Sequence, residues 1–142
     1  MKTTIARIFA IVALLATAFV AQAREAVEII DYLDNAVVTG SGKTITADQV
    51  KNAIVSAAQS RNWQTTRAPK GDGMQAVLQV RGKHTVVVDI TYSAQTYSIK
   101  YQSSSNMKYR QLPDTGARVI HPFYNRWVAE LREAIRMELN RL

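Results

Sequence analysis

The sequence predicts an α+β domain of two layers, an antiparallel meander of three to four strands with two helices on one face. Three observations carry this expectation. Two stretches with apolar residues at helical spacing bracket the chain, one beginning at Val50 and one at Tyr124. Between them lie short runs in which apolar and polar residues alternate, as a strand covered on one side requires. The connections between these runs are short, which suits hairpins joining neighbouring antiparallel strands. The predicted order is α-β-β-β-β-α, with room for an extra N-terminal strand. At 142 residues and 47% hydrophobic content, with no Cys, the chain reads as one globular domain that needs no disulfides.

Residues 1–23 read as a secretory signal rather than as part of the fold. Lys2 and Arg7 form a positive start, Ile8 to Val20 is apolar apart from Thr17, and Ala21-Gln22-Ala23 supplies small residues for cleavage. The apolar run is shorter than the about 20 residues that a membrane span needs. Cleavage after Ala23 removes two basic groups and leaves 119 residues with a net charge of +5, against +7 for the whole chain. The expected product is soluble and periplasmic, and without Cys it has no site for lipid attachment.

Residues 24–45 fit neither period and are expected to be a short strand or mobile. Asp34-Asn35 reads as a turn, Ala36-Val37-Val38 as a short strand beyond it, and Gly40-Ser41-Gly42-Lys43 as a flexible connector. The domain proper is expected over 46–142. Thr46 and Gln49 have capping-box spacing. Val50, Ala53, Ile54, Ala57 and Ala58 then recur on one helical face, which should end near Arg61-Asn62. Trp63 to Arg67, Gln75 to Arg81, His84 to Tyr92 and Tyr97 to Tyr101 are the predicted strands. In the third of these, Val86, Val88 and Ile90 share a face, opposite Thr85, Val87, Asp89 and Thr91. Gln102 to Ile120 is polar and punctuated and reads as a loop. A second helix starts near Pro122, a residue suited to the first helical position. Its stripe is Tyr124, Trp127, Val128, Leu131, Ile135, Leu139 and Leu142.

Most familiar chemistry is excluded by spacing. Gly40-Ser41-Gly42-Lys43-Thr44 lacks the first glycine of a phosphate loop, because position 37 is Val37. His84 and His121 lie 37 positions apart without local metal-ligand spacing, so no metal and no cofactor is expected. Ser104, His121 and Asp89 are the residue types of a hydrolase triad, yet there is no G-x-S-x-G elbow. Glu130 and Glu133 sit among Arg126, Arg132 and Arg136 at spacings typical of a solvated helix face.

The basic surplus gathers around tyrosines. Lys100, Lys108, Arg110 and Arg118 bracket Tyr101 and Tyr109, with His121 and Arg126 following. The candidate binding surface is therefore Lys100, Tyr101, Tyr109, Arg110, Arg118, His121 and Arg126, where charge steers an anionic ligand and aromatic area holds it. Export argues against nucleic acid as the partner. It leaves anionic envelope components (peptidoglycan, lipopolysaccharide or lipid headgroups) or a periplasmic protein. Tyr101, Ser105, Asn106, Tyr109, His121, Tyr124 and Asn125 either line a polar cleft or pin the long loop, since loop backbone must find partners. The expected function is a non-enzymatic binding module. The alternatives are a periplasmic hydrolase using His121, or a structural accessory of an envelope assembly, which predicts an exposed apolar strand edge.

Taken in order, the signal, the capped Ala-rich helix ending in N-W, the Y-S-I-x-Y meander, the S-x-N-M-x-Y loop and the I-H-x-x-Y-N-x-W-V helix resemble a group of small exported proteobacterial proteins. Members of that group are labelled lipoproteins or periplasmic proteins. The resemblance spans Thr46 to Leu139 and implies export. It implies no lipidation here, because the cleavage site carries no Cys, and it brings no catalytic residues.

Overall fold

A computed structural model of the chain describes residues 24–142, so the secretory-signal reading of residues 1–23 lies outside the described residues. The elements in order are β1 (Val27–Glu28), β2 (Tyr32–Ala36), α1 (Ala47–Ser60), β3 (Trp63–Arg67), β4 (Gly73–Val80), β5 (His84–Tyr92), β6 (Thr96–Ser105), β7 (Arg110–Gln111), β8 (Arg118–Ile120) and α2 (Phe123–Asn140). Among the described residues, no helix is long and apolar enough to cross a membrane.

The two helices form where local chemistry asks for them. Thr46 caps α1: its hydroxyl accepts the Gln49 N–H and the Gln49 side chain accepts the Thr46 N–H, satisfying two free donors. The buried face is Val50, Ala53, Ile54, Ala57 and Ala58. Asn62, in the left-handed region at φ 61°, stops the helix and turns the chain into β3. In α2 the buried face is Tyr124, Val128, Leu131, Ala134, Ile135 and Leu139. Trp127 lies at the margin of that face and is only half-buried, while Leu142, expected to join the stripe, is exposed.

The α+β class is observed with two antiparallel sheets instead of one meander. β3 to β6 do form a meander, and β2 adds to its β6 edge, giving the order β2-β6-β5-β4-β3. β1, β8 and β7 form a second, three-stranded sheet drawn partly from the stretch that reads as a loop. The N-terminal strand also differs from expectation. Asp34-Asn35 lies inside β2, where the positive φ of Asp34 (48°) creates a register shift between Tyr32↔Ile99 and Asn35↔Tyr97. Ala36 is the last residue of that strand, so Ala36-Val37-Val38 does not form one of its own.

Both helices cover one face of the large sheet. α1 packs on α2 and across β3 and β5, and α2 meets β6 through Tyr124 and Tyr101. Val86, Val88, Ile90 and Ile99 supply the sheet side of the core, all fully buried. The N-terminal segment runs beside α2 from end to end. Near the head of the helix, the Asn125 side chain accepts from the Ile30 N–H (3.1 Å) and donates to the Glu28 carbonyl (2.8 Å). Midway, Arg132 donates to the Asn35 side chain (2.8 Å) and lies over the Tyr32 ring. At the tail, Ser41 donates to the Leu142 carbonyl (2.7 Å), and Gly40 approaches the Asn140 carbonyl so closely that a Cβ there would overlap it.

Candidate functional site

The pleat of β6 divides the residues that the sequence groups together. Lys100 and Tyr101 are adjacent in a strand and so point to opposite faces. Lys100 is exposed on the open face opposite Asp89, whereas Tyr101 turns inward toward α2. Tyr101 stacks on Tyr109 (4.8 Å between ring centroids, 10° between planes) and meets Tyr124 edge-on (5.5 Å, 73°). A bulge between Val87 and Val88 in the β5–β6 register brings Ser104 back to the inner face, where it shares a 2.9 Å hydrogen bond with the Tyr101 hydroxyl.

Arg118 belongs to this packed cluster and is not a free cation. It donates to one Asp31 oxygen at 2.7 Å while the other accepts the Tyr101 N–H at 2.9 Å. Asp31 thus joins β8 to β6. Arg110 is exposed on β7 opposite Val119, on the other side of the strand from Arg118. Lys100 is therefore on the opposite face of its sheet from Tyr101, and Arg110 on the opposite side of its sheet from Arg118. Burial pushes the phenols of Tyr101 and Tyr124 above the usual tyrosine range, in keeping with a packing role.

His121 and Arg126 lie elsewhere, in a cleft of about 370 Å³ between the β4–β5 turn and the head of α2. One wall is Arg81, in a left-handed turn with Gly82 (φ 53° and 63°), followed by His84. The opposite wall is Phe123, Arg126 and Trp127, with the Phe123 and Trp127 rings 5.7 Å apart. Met107 and Val80 also line the cleft, and Glu130 stands at the same margin, paired with Arg126 at 3.1 Å.

The chain segment after β6 draws the two histidines together. The Asn106 carbonyl accepts from His84 Nδ1 at 2.8 Å, and the Asn106 side chain donates to the Lys83 carbonyl at 3.3 Å. One residue on, the Met107 carbonyl accepts the His121 N–H at 2.9 Å. His121 Nδ1 accepts the Phe123 N–H at 3.2 Å, satisfying a free donor at the start of α2 where Pro122 offers no side-chain cap. Arg24 reaches over the Phe123 ring at 4.8 Å. Burial lowers the His121 pKa from its ordinary value, with Lys108, Arg24 and His84 adding repulsion.

Asn106 and Asn125 act by pinning backbone, and Tyr124 is wholly buried, so those members of the polar stretch do not line the cleft. The triad residues are not assembled: Ser104 is on the inner face bonded to Tyr101, while Asp89 is on the open face accepting from Gln75. Among the described residues, no acid or hydroxyl is hydrogen-bonded to the His121 ring, and no group of three or more His, Asp or Glu converges as a metal site. Sequence reasoning missed Arg81, His84, Phe123 and Trp127 as partners of His121. The available signal was Trp127 at the margin of its helical stripe, which marks a ring only half inside the core.

Protein-family models, curated proteins and solved structures contain no match to this chain.

Proposed function

We propose that the protein is an exported, non-enzymatic binding module that holds an anionic envelope component in the cleft at the head of α2. The observation that carries this reading is that cations meet aromatic rings: Arg81 and Arg126 line the cleft with Phe123 and Trp127, and Arg24 lies over the Phe123 ring, with Glu130 as the acid of the lining. Electrostatic attraction from several sides raises the local concentration of an anion, and apolar rings give it contact area. The fixed role of His121 Nδ1 as acceptor for Phe123 supports binding over acid–base catalysis. Export is supported by the charged start, apolar run and small-residue triplet of residues 1–23.

The test is titration of the ¹⁵N-labelled protein with lipopolysaccharide, muropeptides and phosphatidylglycerol vesicles, each at two salt concentrations. Saturable shifts at His84, His121 and Trp127 that weaken with salt are the expected result. The double variant Arg81→Asn/Arg126→Gln should bind at least tenfold more weakly, and Asn tolerates the left-handed backbone at 81. No movement of the cleft signals with any of the three would sink the proposal. Export is tested separately by the mass of the cellular product, which should begin at Arg24.

A second reading, an accessory of a larger envelope assembly, has its own observation. Ile30, Leu33 and Val38 are 48%, 56% and 62% exposed along the segment that contains edge strand β2. A photo-reactive residue at Leu33 should then cross-link to a partner in cells, and its absence from any adduct would remove this reading.

A further inference from the structure

We infer that the occupant of the cleft is an acidic sugar, a hydroxylated ring bearing a carboxylate or a phosphate. This rests on the anion-binding reading of the same cleft and narrows it. The two imidazole rings that line the cleft are fixed in opposite senses. His84 Nδ1 faces a carbonyl oxygen, so it carries the proton, and in its neutral form the ring offers Nε2 as an acceptor. His121 Nδ1 faces a backbone N–H, so it carries the lone pair, and the neutral ring presents Nε2–H as a donor. Among the described residues, neither Nε2 has a hydrogen-bond partner. A cleft with one free donor and one free acceptor matches a hydroxyl, which accepts and donates at once.

The same polarity argues against a metal ion. Coordination through His121 Nε2 requires a lone pair there, so its proton would have to move to Nδ1 and break the bond that starts α2. It argues equally against an acyl chain, which would leave both nitrogens desolvated without partners. Phe123 and Trp127, both half-buried, offer flat apolar area for the C–H face of a ring. Arg81, in the lining, is exposed and unopposed by any salt bridge among the described residues, so it suits the acid group. The volume of about 370 Å³ sits at the low end of small-molecule sites, which run from about 300 to 1,000 Å³. It fits a small ring ligand better than a stretch of polymer.

The experiment is an NMR and Trp fluorescence titration of the protein with glucuronate, glucose 6-phosphate, methyl glucoside, inorganic phosphate and phosphatidylglycerol vesicles. Trp63 is buried in the core, so a fluorescence response reports on Trp127. At least one of the two acidic sugars should bind at least tenfold more tightly than methyl glucoside, which lacks the charge, and than phosphate, which lacks the ring. The tighter of the two acidic sugars indicates a carboxylated or a phosphorylated source. Trp127→Leu, followed by NMR because it removes the reporter ring, should abolish the preference for the acidic sugar over phosphate while the spectrum stays dispersed. Phosphate or vesicles binding as tightly as both acidic sugars overturns the inference and leaves anion binding standing. Methyl glucoside equal to the acidic sugars overturns both readings, as does silence from every probe.

Discussion

Tyr124 and Tyr101 invite the same chemical change with opposite results. Both rings belong to one aromatic cluster, and removing either hydroxyl leaves the ring contacts at 4.8 and 5.5 Å in place. Tyr124 is fully buried, and its hydroxyl has no hydrogen-bond partner among the described residues. An unsatisfied buried polar group costs about 1–3 kcal/mol, so Tyr124→Phe should stabilise the protein by about 1 kcal/mol, or about 4 °C in melting temperature for a domain of this size. The Tyr101 hydroxyl is bonded to Ser104 at 2.9 Å, so Tyr101→Phe should destabilise by about 1 kcal/mol. Urea unfolding with an unchanged m-value measures both. Alkaline titration adds a second readout. Burial raises the Tyr124, Tyr101 and Tyr97 pKa values above the ordinary 10.0, so the unfolded chain releases these protons first. The stability they contribute is complete below pH 10 and is lost as the pH climbs above it. Tyr124→Phe should flatten that decline. A loss of 1 kcal/mol or more in Tyr124→Phe would refute the reasoning, since it would mean the hydroxyl holds a hydrogen bond in solution.

Three further outcomes follow from local geometry. Because burial and neighbouring cations lower the His121 pKa, the unfolded chain takes up a proton first as pH falls below about 6.5, and stability drops there; His121→Asn, which keeps an acceptor for the Phe123 N–H, should lose less between pH 7.5 and 5 in urea midpoints. Gly40→Ala should cost about 1–3 kcal/mol because its Cβ overlaps the Asn140 carbonyl, whereas Gly42→Ala, at φ +68° with no atom within 4 Å, should cost only about 1 kcal/mol of backbone strain. Thr46→Ala should lose about 1 kcal/mol with the α1 cap, and Thr46→Ser should restore most of it by the same assay.

What the sequence disclosed depends on how local each feature is. The α1 cap and its five-residue buried stripe were legible because every contact that selects them lies within one or two turns. The alternation of β5 was legible for the same reason. β1, β7 and β8 were not, because strands of two or three residues carry no period and are defined by partners distant in the chain. Asp34-Asn35 has turn chemistry, and only the pairing with β6 shows that the positive φ serves a bulge. The grouping of Lys100 with Tyr101 overlooked the pleat, which already sets strand neighbours on opposite faces. The meeting of His84 with His121 was beyond reach, since it depends on two adjacent carbonyls, those of Asn106 and Met107, in a segment with no regular pattern.

The segment that runs beside α2 has a consequence for the order in which the chain acquires its shape. Its grip on the helix rests on pairs 95, 97 and 101 positions apart in the sequence: Ile30 with Asn125, Asn35 with Arg132, and Ser41 with Leu142. Contacts of such long range are slow to form, because a large loop must close before any of them is rewarded. Residues 28–41 therefore wait, though made early, for α2 to arrive, and until then the apolar side of the large sheet lacks half its cover. In such a chain that side of the core is closed only once the last helix to be made is in place.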